Sequence, residues 1–302
     1  MRLESDALSH GFPESGDPIQ PLIFTYRTGS WNLRERARVV GILNLTPDSF
    51  YDGGRYETPG LALERAERMV AEGADGIDIG GQSTRPGGEA VGPDKEWRRI
   101  EPVLSLLRKR IPAPLSIDTY HPEVARRALD YGVDVVNDVA GLSLDPAIAD
   151  EAARAGAGLV LMHSLGAPAD LHAPREYGDV VAEVRDFLER QMRVAESRGV
   201  PRERIALDPG VGFSKRAEQS VAVLRGLPRL ADLGRPVYVG LSRKSFLGAI
   251  TGQPAERRLA ASLGAVAAAY SLGARIFRTH DVRETLDALR AAAAVLGPAS
   301  AV

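Results

Sequence analysis

The sequence predicts an α/β fold of the (β/α)8 class, a TIM barrel occupying residues 19–302 as a single domain. Three observations support it. From Arg38 onward eight short apolar runs recur, with helical patterns between them. The apolar part of each run is near-continuous, as expected of parallel strands covered on both faces. Each run ends, rather than begins, in polar or charged residues. Strand and helix alternating in one chain of 302 residues suit a single large barrel. The competing open doubly wound sheet is disfavoured, because no G-x-G-x-x-G follows the first strand.

The elements follow in chain order. Residues 1–18, "MRLESDALSHGFPESGDP", lack the apolar core of a signal peptide and read as a disordered polar tail. "IFTYRTGSWNLRE" sets a Gly-containing turn between two short β-like runs and predicts a hairpin that closes the barrel floor. The eight strand candidates are "RVVGILNLT" (38–46), "GIDIGGQ" (76–82), "PLSIDTY" (114–120), "DVVNDV" (134–139), "GLVLMHS" (158–164), "RIALDPG" (204–210), "PVYVGLS" (236–242) and "RIFRTHD" (275–281). Each is rich in Val, Ile and Leu and bounded by Gly, Pro, Asp or Ser. Among the helical patterns, "LALERAERMVAEGA" reaches Gly73 at a C-cap position. "PEVARRALDYG" has Pro122 in its first turn and Gly132 just past its end. "VAEVRDFLERQMRVAESRG" is long and amphipathic, and the Ala-rich run 255–272 is expected to pack closely.

Bulk properties remove several function classes. Without cysteine there are no disulfides, thiol nucleophiles or cysteine-ligated zinc, and the composition fits a reducing cytoplasm. A formal charge of -2 argues against a nucleic-acid partner. No apolar run reaches the roughly 20 residues of a membrane helix.

The strand ends carry the chemistry. They bring Asn44, Asp78, Asp118 with Thr119, Asn137 with Asp138, His163, Asp208, Ser242 to Lys244, and Arg278 with His280 to one face, where barrel enzymes keep their active sites. A single Asp or Asn after a strand is as readily the N-cap of the next helix, and His163 alone reads as a packing residue. Cations are unfavourable at helix N-termini, so Arg243, Lys244, Arg278 and His280 require an anion or an acceptor-rich ligand. Two long Gly- and Pro-rich loops, "TPDSFYDGGRYETPG" and "STRPGGEAVGP", follow the first two strands, as functional loops do. Thr84 and Arg85 in the second offer donors to phosphate.

Taken in order, "GILNLTPDSFYDGG", "DIGGQSTRPGG", "SIDTY", "VNDV", "LDPGVGFSK", "GLSRKSFLG" and "RTHDV" resemble the dihydropteroate synthases, over about residues 38–290. "TPDSF" and "SRKSF" are the specific motifs. The resemblance implies a folate-pathway transferase joining a hydroxymethyl-dihydropterin diphosphate to p-aminobenzoate, and hence a sulfonamide target. It places Asp118, Asn137, Asp208 and Lys244 around the pterin, a heterocycle whose alternating donors and acceptors need carboxylate, amide and ammonium together. Phe213 stacks nearby or belongs to the core. Asn44 becomes a Mg²⁺ ligand, and Thr84, Arg85, Arg278 and His280 join it around the diphosphate. Phe50, Pro86 and Ser245 border the aminobenzoate.

The implied mechanism is SN1-like. Diphosphate leaves first, Asp118 offsets the pterin cation, and Asp118, Lys244, Arg85, Arg278 and His280 are the catalytic set. The implied partners are the two small substrates and a second copy of the chain, with the Ala-rich run 255–272 as the contact. One departure stands out: Gln82 occupies a position where the family commonly has glutamate. Beside the synthase reading stand a non-catalytic pterin-binding paralogue and a pterin-dependent methyltransferase, the latter requiring a corrinoid partner.

An order of binding follows from the resemblance. Aminobenzoate is too small to offset the entropy of ordering two loops by itself. It should bind detectably only when diphosphate and Mg²⁺ are present. Titration of labelled p-aminobenzoate with and without them checks this, and equal affinity in both would mean a preformed pocket.

Overall fold

The computed structural model describes residues 21–46, 59–82, 91–166 and 170–296. The 1–18 tail therefore lies outside the described residues, as do Phe50, Thr84, Arg85 and Pro86. A two-stranded antiparallel hairpin, β1 (Ile23–Tyr26) and β2 (Gly29–Asn32), precedes the barrel. The barrel strands are β3 (Arg38–Asn44), β4 (Gly76–Gly80), β5 (Leu115–Asp118), β6 (Val135–Asp138), β7 (Gly158–Met162), β8 (Ile205–Asp208), β9 (Val237–Gly240) and β10 (Ala274–Thr279). They are parallel and close in sequence order, β10 pairing with β3. Around them run α1 (Pro59–Ala71), α2 (Pro93–Arg110), α3 (Pro122–Asp130), α4 (Ala147–Ala155), α5 (Val180–Ser197), α6 (Ala217–Arg225), α7 (Leu227–Ala231), α8 (Ser245–Thr251), α9 (Leu259–Ser271) and α10 (Val282–Leu296).

All eight expected strands are present, most of them shorter than the runs that predict them. The ladders run through the first strand-end polar residues, with Asn44, Asp118, Asn137, Asp138, Asp208 and Arg278 all still in register with a neighbouring strand. Pro122 opens α3, and Gly73 and Gly132 follow their helices at φ of 105° and 91°, where a side chain would be strained. The Ala-rich run departs from its expectation. It splits into a 3₁₀ turn, Ala255–Arg257, and α9. Its small residues also do not all pack: Ala260, Gly264 and Ala268 are exposed along one side of α9.

Alternation along each strand divides the interior into two cores. Outward residues such as Ile77, Ile79, Leu115 and Ile117 join Ile100, Leu104 and Leu107 of α2 in the main cluster. Each such fully buried aliphatic contributes about 1.5–3 kcal/mol. Inward residues near the strand starts, including Val40, Val135, Val160, Tyr238 and Ile276, form a second cluster with Phe24, Trp31 and Leu33. The hairpin is thus the barrel floor. Arg235 ties it down, donating to Ile23 O at 2.7 Å and Ile205 O at 3.0 Å, and Thr28 donates to buried Asp134 at 2.6 Å. With the floor filled, the charged inward side chains gather toward the strand C-termini.

Candidate functional site

At that end lies a cavity of about 750 Å³, within the range typical of small-molecule sites. Asn44, Asp118, Asn137, Asp208, Phe213, Lys244, Ser245, Arg278 and His280 all line it. These are all the expected site residues that fall among the described ones.

The floor of the cavity is a charge cluster. Arg278 Nε donates to Asp78 Oδ2 at 2.5 Å and its Nη2 to Asp118 Oδ2 at 2.7 Å. Asn137 Nδ2 donates to the same Asp78 oxygen at 3.0 Å. Burial works against the Arg278 charge, but Asp78 and Asp118 more than offset it and hold its pKa above the ordinary value. Burial pushes the Asp118 carboxyl up to about 7, against the pull of Arg278. Asp208 accepts the Gly210 N–H at 2.7 Å, and burial raises it to about 6. Asp78 is visible in the sequence as a late strand residue, but no motif gives it a role there. It is fully buried and braces both Arg278 and Asn137.

A second group forms one wall. Lys244 Nζ sits 3.8 Å from the centroid of Phe213, and His172 stacks on the same ring at 4.7 Å. Burial lowers Lys244 to about 8, with Asp208 pulling upward. His172 escapes sequence reading, because it lies in a long connection after β7 with no strand or helix pattern around it. At the rim, Ser242 Oγ and His280 Nδ1 are 3.0 Å apart.

The turn that delivers Lys244 is held from three sides. Arg243 has a φ of 56°, a left-handed conformation uncommon for any residue but glycine. Its N–H donates to Ser262 Oγ at 2.9 Å, and Arg258 donates to its carbonyl at 3.1 Å. Its guanidinium forks onto Asp281 at 3.0 and 2.8 Å. This corrects the expectation that Arg243 awaits an external anion: Asp281 is that anion.

Other strand-end polar residues face away from the cavity. Thr119 donates to buried Glu96, and Asp138 accepts the Ala140 and Leu142 N–H groups at 2.8 and 2.6 Å as a turn cap. His163 is 1% exposed and packs edge-on against Phe187, leaving Met162 to line the mouth. Strand parity explains all three, since each is one residue out of phase with its inward neighbour. Gln82, the departure from the usual glutamate, donates its amide to Tyr120 OH at 2.6 Å.

Among the described residues no group of three or more His, Cys, Asp and Glu could hold a metal ion. Asn44, an amide side chain, lines the cavity wall.

The pterin binding enzyme family matches residues 40–280. The chain is 45% identical to the dihydropteroate synthase of Synechocystis sp., covering 92% of this chain and 93% of that protein. The solved Xanthomonas albilineans dihydropteroate synthase with 4-aminobenzoic acid superposes with a TM-score of 0.85 at 42% identity, covering 92% of this chain and 99% of that one. The same enzyme in complex with 7,8-dihydropteroate superposes at 0.79 and 42% identity, over 89% and 96%.

Glu96 offers a test of the buried electrostatics beside the site. Burial raises it to about 8 from an ordinary 4.5. Its folded pKa lies above its unfolded one, so its contribution to stability is complete below about pH 4.5 and is lost as pH rises through 8. Glu96→Gln should match the natural protein near pH 4 and exceed it at pH 9. The gain should reach a few kcal/mol, since each pH unit between the two pKa values is worth about 1.4 kcal/mol. Urea midpoints at the two pH values check this, and a pH-independent difference would contradict it.

Proposed function

Since the chain belongs to the dihydropteroate synthases of the pterin-binding enzyme family, we propose that its barrel mouth holds the dihydropterin against Asp118, Asn137, Asp208 and Lys244. The reaction condenses a dihydropterin methyl diphosphate with p-aminobenzoate to give 7,8-dihydropteroate and diphosphate, in folate synthesis. The observation that carries the assignment of roles is the convergence of these carboxylates, amide and ammonium on one 750 Å³ cavity. A pterin edge presents N–H donors and ring acceptors side by side, and only such a mixed set satisfies both. Phe213, already covered by Lys244, supplies an aromatic wall.

Arg278 has a double assignment in this reading. In the free protein its guanidinium satisfies Asp78 and Asp118. When the pterin N–H groups take over Asp118, Arg278 exchanges that carboxylate for the diphosphate, with His280 beside it. The C–O bond to diphosphate then breaks with both electrons leaving on oxygen. The cation left on the pterin methylene is spread over the ring, and the Asp118 carboxylate offsets it. The amine nitrogen of p-aminobenzoate attacks the methylene and passes its proton to the released diphosphate. Ser245 at the start of α8, with Phe50 and Pro86, is assigned to the aminobenzoate. Asn44 would hold Mg²⁺, which would supply further neutralisation of the leaving group. Thr84 and Arg85 are assigned to the same anion.

We also propose a homodimer through α9. Ala260, Gly264 and Ala268 recur at intervals of four, so they share one helix side, and a side chain built on Gly264 would meet no atom within 4 Å. Light scattering should report a dimer, and Gly264→Arg should yield a monomer; a natural chain that is already monomeric would remove this contact.

Lys244→Ala tests the pterin assignment. Loss of a half-buried charge-assisted donor should weaken pterin binding by about 1.5–3 kcal/mol. The fold should survive, because the residue lies beyond β9. Calorimetry with the pterin substrate and circular dichroism measure the two effects, and unchanged affinity would take Lys244 out of the site.

A further inference from the structure

We infer that Lys215, which does not line the cavity, is a positioning residue for the synthase reaction: its ammonium fixes the turn after β8 so that Asp208 and Phe213 face the pterin together. The inference rests on the assignment of Asp208 to the pterin. The chain contains only four lysines, Lys95, Lys109, Lys215 and Lys244, against a total of 38 Lys and Arg. Lys95 and Lys109 are exposed, and the other two stand at the site. In a chain that otherwise uses arginine, a buried lysine marks a place where a compact ammonium is needed and a planar fork does not fit.

The surroundings of Lys215 meet that description. The residue is 5% exposed, and its Nζ donates to His163 Nδ1 at 2.8 Å, Gly210 O at 3.1 Å and Phe213 O at 3.1 Å. An ammonium has three donors and no acceptor, so three converging acceptors saturate it. The two carbonyls bracket the turn. Gly210 O also accepts the Phe213 N–H at 3.0 Å, which pins the backbone of Phe213 on both sides. Gly210 N–H in turn donates to Asp208 Oδ1. The backbone of one residue, Gly210, thus links the ammonium to the carboxylate. The turn is also held close against β7: Gly210 has a φ of 65°, and a Cβ there would lie 1.9 Å from His163 O.

His163 completes the cradle. Burial, reinforced by Lys215, pushes its pKa down to about 2, so the imidazole stays neutral and available as an acceptor. The charged groups facing Asp208 are Lys244, Lys215 and Arg278, all favouring its ionised form. Those facing Lys215 are Asp208 and Lys244, with burial lowering its pKa to about 7 and Asp208 raising it. Removing the Lys215 charge therefore makes Asp208 easier to protonate.

Two measurements test the inference. In the first, Lys215→Met keeps the aliphatic stem and removes charge and donors. The KM for the pterin diphosphate should rise tenfold or more, and the acid limb of kcat/KM should move to higher pH, since loss of a nearby cation raises a carboxylate pKa. A folded variant with unchanged pterin KM and an unmoved acid limb would overturn the inference and leave Lys215 as packing. The second measurement does not depend on the folding of that variant. Lysine-selective ¹⁵N labelling of the Lys244→Ala protein leaves Lys215 as the one lysine not exposed. At pH 6 it should give an ammonium signal protected from solvent exchange, and the absence of such a signal would equally overturn the inference. Failure of the pterin assignment itself would appear separately, as unchanged pterin affinity in Lys244→Ala.

Discussion

The Arg278 bridge between Asp78 and Asp118 is the interaction around which the barrel mouth is arranged. Two carboxylates buried on adjacent strands repel each other and are each costly to desolvate. A guanidinium placed between them satisfies both with directed hydrogen bonds. Asn137 donates to Asp78 and pairs in register with Asp118 of β5. Without the arginine this part of the interior would hold unpaired buried charge, a condition that costs about 3–5 kcal/mol for a single broken pair.

The same bridge keeps the site ready for exchange. Burial raises Asp118 and Asp208 and lowers Lys244, so desolvation works against each of these charges and their pairing with one another and with Arg278 works for them. A ligand with both donors and acceptors can replace protein partners one for one. A purely apolar ligand cannot, because it would leave these groups unsatisfied. The surrounding braces serve this balance: Ser262, Arg258 and Asp281 hold the Lys244 turn, and the hairpin closes the floor.

Much of the site was legible because strand and helix periods are local. Asn44, Asp118, Asn137 and Asp208 each end an apolar run, and each lines the cavity. Sequence separates adjacent strand-end residues less well. Asp118 and Thr119, Asn137 and Asp138, and Met162 and His163 each divide into one residue that faces the mouth and one that turns into the helix layer. Anchoring the alternation on an inward apolar residue, such as Val160 on β7, would have separated them. His172 and the role of Lys215 had no such anchor, since neither lies in a periodic segment.

By itself the sequence determined the order of eight strands and their helices, the hairpin before them and the chemistry gathered at the strand ends, because hydrophobic period, glycine and proline act within a few residues of themselves. Tertiary structure alone decided the pairings. Arg278 meets Asp78 across 200 residues and Asp118 across 160, Lys215 meets His163 across 52, and Arg243 meets Asp281 across 38. Nothing local selects these partners. They are chosen by barrel closure, which brings β10 against β3, sets the register between neighbouring strands and so determines which cation lies within reach of which carboxylate.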